Sequence, residues 1–135
     1  MDILVSTDWL ERELGAGDLK VVDATFLLPD AGRDAKAEYL EAHIPGAMFL
    51  DLLDVADTDS PYPAMLPSEA RMASRMQTLG IGDGSRIVVY DNSPLHSAAR
   101  AWWMLKSFGA HYVAVLDGGF QKWTAEGRPT EGGKP

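Results

Sequence analysis

The chain has 135 residues, 46% of them hydrophobic and 24% charged, with 13 Gly, 8 Pro, 4 Trp and no Cys. That is the size and composition of one globular domain, and the missing cysteines exclude disulfides, thiolate zinc sites, iron–sulfur clusters and every cysteine-nucleophile mechanism. Residues 1–67 hold 14 acids and 4 bases (net −10) and residues 68–135 hold 6 and 8 (net +2), so no basic stripe recommends a nucleic-acid partner.

Met1 to Asp8 lacks the basic start and apolar stretch of a signal peptide, and no run approaches the roughly 18 apolar residues of a membrane span. The expectation is a soluble, cytoplasmic protein with no membrane partner. Ser6 to Gly15 predicts a short helix, with Ser6 or Thr7 as hydroxyl cap, acids in its first turn, Leu10 and Leu14 four apart, and a closing glycine. Leu19 to Ala24 follows as a β-branched strand, and Asp34 to Ala42 as a second helix. Pro45 then forces a turn in His43-Ile44-Pro45-Gly46-Ala47, because it fixes its own φ and holds Ile44 extended.

Met48-Phe49-Leu50 predicts a short strand. From Asp51 to Pro67 the pattern dissolves into Asp, Ser, Thr and three prolines, an irregular segment of a length usually given to function or partner binding. A helix opens at Pro67-Ser68-Glu69, with Met72, Met76 and Leu79 at helical spacing before Gly80. Arg86 to Tyr90 is the clearest strand, followed by a loop from Asp91 to Ser97, a helix with a broad apolar face from Ala98 to Gly109, and a last strand from Tyr112 to Leu116. Asp117-Gly118-Gly119 is a turn, and Phe120 to Glu126 a final helix closed by Gly127.

Strands alternating with helices predict an α/β domain with a mostly parallel sheet covered on both faces, and ligands gather at the carboxyl ends of such strands. Residues 1–129 form that single domain, and Thr130 to Pro135 has the composition of a linker.

The chemistry-bearing stretch is Asp91-Asn92-Ser93-Pro94-Leu95-His96-Ser97, where a central strand feeds a helix N-terminus, a junction whose amides and dipole suit an anion. Glu41-Ala42-His43-Ile44-Pro45-Gly46-Ala47 together with Leu116-Asp117-Gly118-Gly119-Phe120-Gln121-Lys122-Trp123 resembles the two signature segments of the rhodanese homology domain. Asp59 to Pro67, the helix carrying Arg100, Trp102 and Trp103, and the terminal Gly133-Lys134-Pro135 narrow the likeness to the N-terminal half of two-domain thiosulfate and 3-mercaptopyruvate sulfurtransferases, over nearly the whole chain.

The resemblance implies a rhodanese-like three-layer α/β/α fold with about five strands, and a partner domain further along the native chain that carries the cysteine of the persulfide. Asp91 stands at the family's cysteine position, which implies a non-catalytic half with no catalytic residue, cofactor or metal of its own. The resemblance also turns Tyr62, Ala64, Met65, Leu66 and Pro67 toward the partner's cleft; mercaptopyruvate-type members usually carry His where Ala64 stands, which leaves the donor open. A stand-alone binding or regulatory module on the same inactive fold is the alternative.

Physics points the same way. A carboxylate at the loop mouth repels an anionic sulfur donor by about 4 kcal/mol at ~4 Å and an effective dielectric of ~20. That exceeds the ~0.3 to 2 kcal/mol that a helix N-terminus offers, and Pro94 removes one amide donor. An aspartyl nucleophile at Asp91 would want a second acid two residues on, where Ser93 stands, and Asp91, Ser93 and His96 lie too close along one loop for a triad.

Structural roles account better for the remaining candidates. Asp91 is expected to accept loop or helix amides, and His43 to be tied into its turn with no second metal ligand at spacing. Asp23 is expected to bond Arg100 or loop amides, His96 and His111 to be surface or interface side chains, and Met72, Met76 and one of the two tryptophans to pack in the core. Arg100, in a largely apolar helix, is expected to need a buried acid, with Asp91 and Asp51 as candidates. Asp51, Asp54, Asp57 and Asp59 lack the Gly and closing Glu of a calcium loop and read as a solvated acidic segment.

Overall fold

Two helices are set by their caps. Ser6 Oγ accepts the Trp9 amide at 3.0 Å and starts α1 (Thr7–Glu13); Asp34 Oδ1 accepts the Ala37 amide at 3.1 Å and starts α2 (Ala35–Glu41). The computed structural model describes residues 4–25, 32–50, 76–77, 85–92, 97–107 and 112–132. Within them lie β1 (Leu4–Val5), β2 (Leu19–Asp23), β3 (Met48–Phe49), β4 (Arg86–Tyr90), β5 (Tyr112–Leu116), α3 (Ser97–Ser107) and α4 (Gly119–Ala125).

The strands form one sheet in the order β1-β5-β4-β2-β3, and every pairing between them is parallel. Side-chain alternation splits this sheet into two cores. Val22, Ile87, Val89 and Val113 face Ala98, Ala101, Met104 and Leu105 of α3, with Met76 packed alongside. Val21, Val88, Tyr90, Ala114 and Leu116 face Leu10, Tyr39 and Trp123 from α1, α2 and α4. The result is the three-layer α/β/α architecture with five strands. From β2 the chain steps to β3 on one side, and from β4 to β5 on the other, so the topological switch point lies between β2 and β4.

Several expectations need correcting. Leu4–Val5 is a strand that the sequence reading lacked; two residues carry no periodicity, and their pairing with Val115 and Leu116 is what makes them one. The helix after the β4 loop starts at Ser97 and the final helix at Gly119, each one residue earlier than predicted. Met76 and Gln77 are helical, while the rest of the predicted 68–79 helix, with Met72, lies outside the described residues. Glu131, placed in a linker by its composition, is bonded to the domain: it exchanges two backbone hydrogen bonds with His43, at 2.8 and 2.9 Å. No helix among the described residues is long and apolar enough to cross a membrane.

Candidate functional site

β2 and β4 end side by side at the switch point, and short polar contacts stitch their ends together. Asp23 Oδ1 accepts the Thr25 amide at 2.9 Å and the Thr25 hydroxyl at 2.6 Å. Thr25 Oγ1 in turn accepts the Asn92 amide at 3.0 Å, and the Ala24 amide donates to the Tyr90 carbonyl at 2.8 Å. From the far side, Arg33 donates to the Asn92 carbonyl at 2.9 Å while its guanidinium grips Glu38 through two bonds of 2.7 and 2.8 Å.

Asp91 leaves β4 directly into this frame. Its Oδ2 accepts the Ala98 amide at 2.8 Å, so the carboxylate takes one of the first free N–H groups of α3. Its carbonyl accepts the Phe120 amide at 2.9 Å, where Gly119 at φ +63° lets α4 come close. Ser97 Oγ donates to the Ala24 carbonyl at 2.7 Å, fastening the far end of the loop to β2. Burial pushes the Asp23 carboxyl above its ordinary range; its bonds to Thr25 and from the Tyr90 hydroxyl oppose this, and the nearby Asp91 charge adds to it. Burial likewise drives the Tyr90 phenol far up, so it remains a neutral donor.

Beside this frame a cleft of about 380 Å³ opens at the carboxyl ends of β4 and β5. Asp91, Asn92, Ala99, Asp117 and Gln121 are among its lining residues. The charged groups among its described lining residues are the carboxylates of Asp91 and Asp117, and Asp117 pairs with Lys122, which is not part of the lining, at 3.8 Å. Among the described residues no group of three His, Asp or Glu could hold a metal ion.

His43 is fully buried, with Nδ1 at 2.8 Å from the Tyr39 carbonyl and Nε2 at 3.2 Å from Glu131 Oε1. Pro45 and Gly46 complete its turn, with Gly46 at φ +80°. Gly118, at φ +79°, is the residue before α4. Arg100 overturns an expectation: it is exposed on α3, between core residues Ala98 and Ala101, and calls for no buried acid. Trp102 is partly buried and donates to the Val113 carbonyl at 2.9 Å, whereas Trp103 is 47% exposed.

Ser93, Pro94, Leu95 and His96, the segment Tyr62, Ala64, Met65, Leu66 and Pro67, the acids Asp51, Asp54, Asp57 and Asp59, and His111 lie outside the described residues. Thr25, Arg33 and Glu131 were missed. For Thr25 a signal existed, since Asp followed two residues on by Thr is the pattern of a side-chain-to-backbone turn.

A five-stranded parallel α/β/α domain, with a strand–loop–helix junction at its switch point, defines the class that presents ligand-binding loops at the carboxyl ends of its strands. The chain belongs to the rhodanese-like domain family, which matches residues 6–126. It is 43% identical to the 3-mercaptopyruvate sulfurtransferase of Rattus norvegicus over 97% of this chain and 46% of that protein. It is 47% identical to the thiosulfate sulfurtransferase of Bos taurus over 93% of this chain and 44% of that one. The crystal structure of the 3-mercaptopyruvate sulfotransferase SseA from Escherichia coli superposes with a TM-score of 0.93 at 37% identity, covering 100% of this chain and 52% of that one. The chain thus spans about half the length of the curated relatives it matches.

Proposed function

We propose that this domain is the non-catalytic N-terminal half of a sulfurtransferase that moves sulfane sulfur from thiosulfate or 3-mercaptopyruvate to a thiophilic acceptor. The persulfide would form on a cysteine of a downstream rhodanese domain in the same native chain, and residues 62–67 would wall that domain's cleft. The observation that carries the reading is Asp91. In a chain without cysteine, a carboxylate follows β4 and already binds the Ala98 amide at the head of α3. It offers a donor anion no sulfur nucleophile, and it already takes up one of the amides at the head of α3. The relatives support the rest, since they are sulfurtransferases about twice as long as the matched region.

The test is a sulfur-transfer assay with each donor and cyanide, run on this chain alone and on the product of its native reading frame. The chain alone is expected to give no thiocyanate above a protein-free control, and the native product to give turnover if a second domain with its cysteine follows. Thiocyanate from the chain alone would sink the reading. A frame that stops near Pro135 would turn it toward a stand-alone binding module. Asp91→Cys alone is expected to remain orders of magnitude below the two-domain product, because Pro94 still deprives the loop of an amide donor.

A further inference from the structure

By composition residues 130–135 are a flexible tether, yet the chain from Arg128 to Gly132 is held to the domain at three places. The first joins it to α1 and α4. Arg128 donates to Glu126 and to Glu11 of α1, each at 3.0 Å, with its guanidinium 5.9 Å from the centre of the Trp123 ring. The fully buried Trp123 donates its indole N–H to the Pro129 carbonyl at 2.7 Å. The second joins it to the turn before β3. There the Glu131 backbone bridges to His43, while Glu131 Oε1 accepts the Gly46 amide at 2.8 Å and lies 3.2 Å from the buried His43 ring. The third is a close approach to α2: a Cβ on Gly132 would stand 2.8 Å from the Glu41 carbonyl oxygen and 3.4 Å from that of Leu40.

These anchors differ in kind, so the segment does not hang on one of them. Ion pairs at the surface hold little by themselves. An indole N–H, a two-bond backbone bridge and a carboxylate accepting a turn amide are directional, and together they fix the path of the chain. The middle anchor also reaches the carboxyl ends of the strands. His43 and Gly46 belong to the turn that launches β3, and that turn is braced by the Tyr39 hydroxyl, which donates to the Ala47 carbonyl, and by the Tyr90 hydroxyl, which accepts the Ile44 amide at 3.3 Å. Directly after β3 the Leu50 amide donates to the carbonyl of Asp23, at 2.9 Å, next to the stitch through Thr25 and Asn92. The course of the chain at Gly132 is thereby referred to the face on which the loops gather.

We propose that residues 128–132 are a docked strap, and that Glu131 and Gly132 are positioning residues that set the orientation of the downstream domain against the carboxyl-end face of this one. This rests on the two-domain reading above, in which sulfur transfer then depends on where the strap aims the second domain, although neither residue touches a donor or an acceptor. A chain free from residue 128 onward would leave two domains to find each other through many orientations. A strap docked as far as residue 132 delivers the second domain already aimed.

The experiment has two arms. In this chain, amide hydrogen exchange is followed in Glu131→Ala and Gly132→Ala, which release the strap from the turn and from α2 by different means. Each is expected to speed exchange at His43 and Glu131 at least about tenfold while the β4 amides stay protected. Glu131→Gln, which keeps an acceptor for Gly46, is expected to exchange much as the parent does. In the product of the native reading frame, residual dipolar couplings are measured alongside sulfur transfer to cyanide. Both domains are expected to share one alignment tensor; the two alanine variants are expected to separate the tensors and to lower kcat/KM about tenfold or more, with Glu131→Gln restoring both. Exchange at residues 43 and 131 unchanged in both alanine variants would overturn the strap, and so would separate tensors in the parent or an undiminished kcat/KM in the variants. A native product with no second domain, or a two-domain parent with no turnover, would overturn the sulfurtransferase reading instead.

Discussion

At Gly119 one hydrogen atom decides whether α4 can approach the β4 loop. A Cβ built there would stand 2.7 Å from the Asp91 carbonyl oxygen, a backbone atom that cannot swing aside, and φ is +63° besides. Gly127 has a similar φ of +70° but open space around it. Gly119→Ala is therefore expected to cost about 3 kcal/mol, conformational strain plus steric clash, and Gly127→Ala only about 1 kcal/mol. Urea unfolding of the two variants measures the difference. Asp23 offers a test by pH. Its folded-state pKa is raised, so ionised Asp23 costs stability as pH rises from the unfolded carboxyl's range through the folded value. Asp23→Asn is expected to stabilise the domain at pH 7 and to lose that advantage as the pH falls below about 4, where the wild-type carboxyl is neutral in both states.

Among the elements, α3 separates its duties residue by residue. Met104 is buried against the sheet and its neighbour Trp103 is 47% exposed. Met104→Ala is expected to cost about 3 kcal/mol and Trp103→Ala less than about 1 kcal/mol, read as shifts in thermal unfolding midpoint. The sequence carried much of this layout: the spacing of Ala98, Ala101, Met104 and Leu105 marks one helix face, and the β-branched runs at 19–24, 86–90 and 112–116 mark the three long strands. Arg100 is placed by that same spacing and not by composition: at about 100° per residue it turns away from the face that Ala98 and Ala101 present to the sheet, whereas an apolar composition taken by itself reads the whole helix as buried. The sequence could not supply β1, whose strand character is a property of β5. Asp91 at the head of α3 was legible because a carboxylate before a helix has one strong local use; the stitch through Thr25 and Arg33 was not, since it joins residues about 60 or more positions apart.

For the molecule as a whole, the order of strands sets when the fold can be completed. β1 pairs with β5, so residues 4 and 5 wait for 115 and 116, and His43 waits for Glu131. Contacts of such sequence separation form late, because a long loop must close before they are rewarded. A chain leaving the ribosome at roughly 5–20 residues per second would expose Leu4 and the β5 side of the β4 edge for several seconds before their partner arrives. During that interval an unpaired sheet edge is open to any other extended chain, and the N-terminal strand, synthesised first, is among the last pieces to find its place.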